Sequence, residues 1–338
     1  MSIARARNEE SSRIPAGAAL LVALLLLAVA LVAALRFGSV SYATAEVWRA
    51  LIRPDDTAAA IVVWGIRLPR ALVALMVGAN LAVSGALLQA VMRNPLADPG
   101  LIGVSSGGSL VALTIMLIFP EQSRFVPFAG FLGGMAACFL VFSLAWRQGS
   151  DPVRIVLAGV AVNAVLGGGT AVLSTLYSDR IQSVIMWLNG SLSGKSWHQV
   201  HLLFPYAGLG LFAALLLIKT ANLLRLGDEV AKNLGMRVDR GRLLLTVVAA
   251  FNAGITVAVV GLIGFVGLIV PHISRLLVGS DYRGMLPLSA VLGAALLLAA
   301  DCAARTAFSP IELPVGILMA ISGGPFFLYL MRKGGNRG

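Results

Sequence analysis

The chain alternates long uncharged apolar runs with short polar interruptions, a spacing too coarse for the amphipathic helices or alternating strands of a water-soluble fold. About 20 apolar residues in a helix cover the hydrocarbon core of a bilayer. The stretch from Ala16 to Leu35 is the first run of that length. It follows a polar, arginine-bearing start, Met1 to Arg13, and is too long for the apolar part of a signal peptide, so it reads as a span. Further runs are Ala71 to Val91, Leu101 to Phe119, Val126 to Trp146, Ile155 to Leu176 and Val200 to Ile218, then Leu243 to Val260, Leu262 to Leu277, Leu286 to Ala304 and Pro314 to Leu330. The pattern predicts an all-α polytopic membrane protein with about ten transmembrane helices. The least determined boundary lies inside Leu243 to Val270, one mostly apolar run too long for a simple span. There Gly254, Gly261, Gly264 and Gly267 favour a break or tight reversal.

Two polar interruptions have structure of their own. Ser41 to Ile52 mixes polar and apolar residues around Trp48, as expected of a short helix lying at the membrane interface, with a plain connector as the alternative. Lys219 to Arg242 is too short for a domain and long enough for two small helices. Residues 1–338 thus form one transmembrane domain, with an N-terminal arm at 1–15 and a tail at 331–338.

Composition narrows the class. The 338 residues are 58% hydrophobic and 12% charged, with a mean hydropathy of +0.90, which excludes a soluble enzyme, a nucleic-acid-binding domain and a disordered chain. The net charge of +11 comes from basic residues lying between apolar blocks, without the interleaved aromatics of a nucleic-acid surface. Ten spans put both termini on one side, and that side holds 17 of the 26 Lys and Arg, leaving 9 for the other, so the termini are expected in the cytoplasm. One external connection opposes the trend: Arg36, Arg49, Arg53, Arg67 and Arg70 outnumber Glu46, Asp55 and Asp56.

Candidate chemistry within the spans is sparse. No catalytic residue stands out, because no nucleophile lies near a base. Cys138 and Cys302 read as small hydrophobes, and His198, His201 and His272 form no metal-ligand pattern, so no metal site is expected. Asn80, Gln89, Asn163 and Asn252 are neutral and suit interhelical hydrogen bonds; Asp301 can pair with Arg305 one turn on. The scarcity of buried carboxylates disfavours an ion-coupled secondary transporter. Small residues are abundant, with 37 Gly, including Gly103, Gly107 and Gly108 in the third span and Gly167, Gly168 and Gly169 in the fifth. They serve either close helix packing or a wide pathway. No GxxxxGK[ST] phosphate loop is present, so this chain is expected to hold no cofactor, and any ATP and Mg used would have to be bound by a partner chain.

Several runs resemble one family: RLPR at Arg67 to Arg70, SGALLQAVMRNPLADPGLIGVSSGG at Ser84 to Gly108, LAGV at Leu157 to Val160, LGDEVAKNLG at Leu226 to Gly235, GFVGLIVPHISR at Gly264 to Arg275 and ELPVG at Glu312 to Gly316. In this order, over about Val62 to Arg332, they are similar to the FecCD-type permeases of ABC importers for iron-siderophores, haem and cobalamin. The resemblance implies a type II ABC importer permease fold in which spans two to five and seven to ten form an inverted pseudo-repeat. Arg70 with Asn80, and Arg242 with Asn252, share a spacing of ten at the starts of oppositely directed spans. It also implies a bacterial inner-membrane location and a dimer with a second permease, identical or paralogous. The other implied partners are two ATP-binding-cassette ATPase subunits and a periplasmic or lipid-anchored substrate-binding protein.

The family match carries over residue by residue. Arg67, Arg70 and Arg305 correspond to arginines that meet acidic residues of the binding protein, which would make the external positive cluster an exposed docking surface; lipid-headgroup anchoring is the alternative. Leu226, Gly227, Asp228, Glu229, Val230, Ala231, Leu234 and Gly235 correspond to the coupling helices seated on the ATPase, with Leu226, Val230, Ala231 and Leu234 as an apolar face and Asp228 and Glu229 at its rim. By the same match a cytoplasmic gate falls at Ser150, Asp151, Pro152 and Val153, with Asp151 and Pro152 standing where relatives often carry Ser or Thr, and an external mouth at Trp187, Asn189, Gly190 and Ser191. The RNPLADP run, Arg93 to Pro99, reads as the turn between two spans. Ferric-siderophore import is the expected function, with GSL at Gly190 to Leu192 leaning towards iron chelates; haem or cobalamin import, a secondary carrier and an intramembrane enzyme are the alternatives.

Overall fold

The computed structural model describes residues 14–53, 55–146, 151–309 and 311–334. Its first half comprises α1 (Ala16–Arg36), α2 (Thr44–Ile52), α3 (Ala58–Met92), α4 (Val104–Ile118), α5 (Val126–Ala145), α6 (Pro152–Leu176) and α7 (Ile181–Leu188). The second comprises α8 (Trp197–Leu216), α9 (Ile218–Arg225), α10 (Asp228–Asn233), α11 (Val238–Val260), α12 (Val266–Val278), α13 (Tyr282–Thr306) and α14 (Val315–Gly334). Helices α1, α3, α6, α8, α11 and α13, together with α5 and the 3-10 turn before it, are seven elements long and apolar enough to cross a membrane. The shorter α4, α12 and apolar part of α14 account for the three remaining apolar runs. The short helix expected around Trp48 is α2, and the two small helices expected after Lys219 are α9 and α10.

Several helices start a few residues before the apolar runs, and three boundary differences have local reasons that bear on the packing. Helix α3 starts at Ala58 rather than Ala71, because Thr57 caps it by accepting from the Ala60 N–H at 3.3 Å. It continues through a π-turn at Val63–Arg67 that carries Arg67, and Arg70 follows one turn on, the two charges hydropathy had excluded. Helix α12 starts at Val266 rather than Leu262. Gly261, at φ 76, ends α11, and a Cβ there would lie 1.9 Å from the Trp187 carbonyl oxygen, so the break needs glycine.

The third difference follows the RNPLADP run, which forms the expected turn, with Asn94 accepting from the Leu96 N–H at 2.9 Å. Asp98 accepts from the Gly100 N–H at 2.8 Å and starts a 3-10 turn at Pro99–Ile102, and α4 begins only at Val104. The turn is wedged among helices: Asn163 Nδ2 of α6 donates to the Gly100 carbonyl at 2.9 Å, and Pro99 packs against Gly267 of α12.

The centre of the bundle is α3 against α11. In their apolar windows 83% and 72% of residues are buried, against 17% for α6 and 28% for α1 and α8. Hydrocarbon gives helices no hydrophobic reason to associate, so close packing and interhelical hydrogen bonds must hold the centre. Glycine supplies the packing. Cβ atoms at Gly78 and Gly85 of α3 would fall 2.2 Å from the Gly293 carbonyl oxygen and 1.9 Å from that of Gly267. The hydroxyl of Ser84 donates to the Ala249 carbonyl at 2.6 Å, joining α3 to α11. The amides also bond locally or between helices: Asn80 Nδ2 to Met76 O and Asn252 Nδ2 to Val248 O, both at 2.7 Å, repeat one geometry on the two central helices. Gln89 accepts from Arg275 at 2.6 Å.

The two glycine sets serve different ends. Gly107 packs against Gly133 of α5, whereas Gly167 and Gly168 face open space. We therefore expect Gly85→Ala, which forces a methyl group onto a backbone that cannot yield, to cost about 1–3 kcal/mol and to lower the midpoint of detergent-solubilised thermal unfolding. Gly167→Ala should unfold at the wild-type temperature in the same assay.

Candidate functional site

The arginines expected on the external side are placed by the start of α3 and the end of α13. Arg67, on the π-turn, donates through its NH1 group to the Leu35 and Arg36 carbonyls at 2.7 Å and through NH2 to Val40 O, with the Tyr42 ring 5.0 Å from its guanidinium carbon. Arg70 is bidentate: Nε and NH2 both reach Asp301 at 2.9 Å, while NH1 reaches Glu312 at 2.8 Å. Arg305 donates to the Ala34 carbonyl, and its Nε stands 4.0 Å from Asp301. Asp301 therefore pairs mainly with Arg70, across two helices, rather than with its expected neighbour one turn on.

This arrangement overturns the expectation of exposed guanidiniums. Arg67, Arg70 and Arg305 are 4%, 6% and 6% exposed, and their donors point inward. A guanidinium beside apolar spans is costly unless its donors are satisfied, and here helix-end carbonyls and the carboxylates of Asp301 and Glu312 satisfy most of them, with Arg305 Nε left without a hydrogen-bond partner. The cluster locks α1, α3 and α13 together and, through Glu312, holds the segment that leads into α14. Burial would raise the Glu312 carboxyl, but the hydrogen bond and charge of Arg70, with Ser193 and Arg305 behind, bring it below its usual value.

The residues of the expected mouth are fixed between α11 and α14. Trp187 and Asn189 lie at the end of α7, Gly190 (φ 66) would place a Cβ 2.0 Å from the Leu262 carbonyl, and Ser191 N–H donates to Val260 O at 2.9 Å. Gly316 N–H of α14 donates to Gly190 O at 3.1 Å. One contact was not foreseen. Trp64 and Trp197 stack at 6.0 Å, Trp197 Nε1 donates to Trp64 O, and Trp64 Nε1 donates to Ala50 O, tying α2, α3 and α8 together. Two tryptophans 133 positions apart carry no spacing signal.

Of the expected gate, Ser150 lies outside the described residues. Asp151 caps α6 by accepting from the Val153 N–H at 3.0 Å, and Pro152 takes the first helical position. Asp is an efficient N-cap and Pro suits the first helical position, so both residues have a structural role at the start of α6. Val153 is one of six large exposed apolar residues on α6, with Leu157, Val160, Val165, Val172 and Leu176, spread over more than one side of the helix.

The expected coupling segment forms α10 between Gly227 (φ 103) and Gly235 (φ 81), conformations that suit glycine. Leu226, Val230 and Leu234 are exposed and form an apolar surface, and Glu229 is exposed beside them. Two residues depart from expectation. Ala231 is fully buried and seats α10 on the bundle, and Asp228 turns inward to Arg242 at 2.8 Å instead of standing at the rim.

The FecCD transport family model matches residues 25–333, spanning the helices and every surface just described. The chain belongs to the FecCD transport family. This FecCD permease is 42% identical over 267 residues to the Fe(3+)-citrate import system permease protein YfmE of Bacillus subtilis (strain 168), covering 79% of this chain and 80% of that one. It is 43% identical over 283 residues to the hemin transport system permease protein HmuU of Yersinia pestis, covering 80% and 83%. A solved metal-chelate type ABC transporter in an inward-facing conformation superposes with a TM-score of 0.82 at 30% identity, over 94% of this FecCD permease and all of that chain. The fold is that of an ABC importer permease.

The arginine cluster yields a test of the lock. Asp301→Ala leaves buried guanidiniums uncompensated and should cost about 3–5 kcal/mol, read as lost folded yield on size exclusion in detergent. Glu312→Gln should be milder and pH-dependent. The folded carboxyl titrates below its ordinary 4.5, so the Glu312 contribution is complete above that pH and disappears as pH falls through the lower folded value. The melting curves of wild type and Glu312→Gln should therefore converge in acid.

Proposed function

We propose that this chain is the permease subunit of an ATP-driven importer that carries a ferric siderophore inward across the bacterial inner membrane. The observation that carries the reading is α6. It is a membrane-length helix, only 17% buried in its apolar window, with exposed apolar side chains over a broad surface and open glycines at Gly167 and Gly168. Such a face suits a second permease and a bulky solute passing between the two subunits. Affinity for the solute resides in the binding protein.

The basic side of the bundle, with α9 and α10, is the cytoplasmic side that meets two ATPase subunits, and both termini lie there. Leu226, Val230 and Leu234 supply the apolar contact. The binding protein docks on the opposite face, over Arg67, Arg70 and Arg305. Because those guanidiniums are bonded inward, a docking carboxylate has to displace Glu312 from Arg70 to reach one. ATPase closure would shift α10 and expose the pathway to one side at a time.

Haem import by the same mechanism is the second reading, since relatives named for citrate-bound iron and for hemin match this chain at 42% and 43% identity. Purified permease reconstituted in proteoliposomes with its ATPase and binding protein separates the two. Uptake and stimulated ATP hydrolysis are expected with ferric siderophores and not with haem or cobalamin; uptake without the ATPase would refute an ATP-driven importer. In the same system Gly167→Trp should block uptake without reducing folded yield, and Leu234→Glu should abolish co-purification of the ATPase.

A further inference from the structure

The inward turn of Asp228 leaves a question about α10: what holds a six-residue helix that is to be pushed by another protein? Its apolar surface, Leu226, Val230 and Leu234, faces away from the bundle. Among the described contacts on the bundle side, Ala231 provides packing, and Asp228 provides the charge. Asp228 Oδ1 lies 2.8 Å from NH2 of Arg242 and 3.8 Å from NH1 of Arg93.

Those two arginines are not surface groups of α10. Arg242 stands in the first turns of α11, with 1% of its side chain exposed. Arg93 is the C-cap of α3, held in the left-handed region at φ 48 where the helix ends. One carboxylate oxygen therefore connects the coupling helix to the inner ends of both central helices. These helices are joined farther along by the Ser84 to Ala249 hydrogen bond. A buried guanidinium loses a great deal if its carboxylate leaves, so the Arg242 contact resists separation and a displacement of α10 is passed on to α11 rather than absorbed, while the Arg93 pair, with 40% of the arginine side chain exposed, is the weaker link to α3.

The position of Arg242 matches that of Arg70. Each lies ten residues before an asparagine whose Nδ2 bonds the carbonyl four residues back at 2.7 Å, and each is buried and paired with carboxylate. On one face the arginine holds Glu312, at the approach to α14; on the other it holds Asp228, at the start of α10.

We propose that Asp228, with Arg242 and Arg93, is the positioning clamp that transmits movement of α10 to α11 and α3, and that Leu226, Val230 and Leu234 alone meet the ATPase. This rests on reading α10 as the coupling helix. Asp228 is a positioning residue: it acts through the two arginines and touches neither solute nor nucleotide.

The test uses the full complex in proteoliposomes and reads solute transported per ATP hydrolysed. Asp228→Asn keeps the shape and removes the charge, and should lower that ratio about 2- to 30-fold; Asp228→Glu should recover most of it. A wild-type ratio in Asp228→Asn, or uptake and hydrolysis falling together at constant ratio, would overturn the clamp. A second measurement needs no partner. In purified permease carrying Cys138→Ala and Cys302→Ala, spin labels at positions 229 and 244 should give a narrow distance distribution that Asp228→Asn broadens, and an unchanged distribution would also overturn it. Leu234→Glu separates the two ideas: if it leaves the ATPase bound, the coupling surface is wrong, while the spin-label result still decides the clamp.

Discussion

Everything in this bundle depends on backbones approaching closely at α3. A helix buried on nearly every side, inside a protein whose solvent is hydrocarbon, gains nothing from hiding apolar side chains and must be held by contact and by hydrogen bonds. Gly78 and Gly85 bring α3 against α13 and α12, and Ser84 links it to α11. Once α3 is fixed among these neighbours, both its ends are fixed too. Arg70 at one end and Arg93 at the other then have defined partners on opposite faces.

Charge is used sparingly, and at the ends. The arginines of the outer cluster and Arg242 are each buried, and each is matched to carboxylate or to helix-end carbonyls. In low dielectric such pairs contribute little net stability, yet losing one partner is expensive. They specify which elements stay together more than they strengthen the fold. The apolar middle of the bundle is left to glycine, alanine and short polar side chains.

Much of the architecture was legible in the sequence because a bilayer imposes one length on every span. The ten apolar runs all form helices, and the break suspected at Gly261 is present, since a positive φ and a backbone carbonyl in the place of a Cβ both require glycine. What could not be read was direction. RLPR marks arginines without saying that their donors face inward, because that depends on Asp301, far away in the chain. Likewise Ala231 and Asp228 sit in a recognisable run, but which side of a six-residue helix meets the bundle is decided by Arg242 on the next helix. The re-entrant turn at Pro99–Ile102 was hidden because its hydropathy is continuous with α4.

The π-turn at Val63–Arg67 gives α3 two registers. A wide turn takes in one residue more than an ordinary one, so the arm before it and the span after it are rotated independently about a common axis. Trp64 can satisfy Ala50 and Trp197 while Arg70 satisfies Asp301, a pair of demands a uniform helix would have to meet with one rotation. The outer arm is thereby released from the phase of the buried span. Substitutions that re-aim the arm can accumulate on the exposed side of the π-turn, away from Arg67, without disturbing the Arg70–Asp301 pair beyond it.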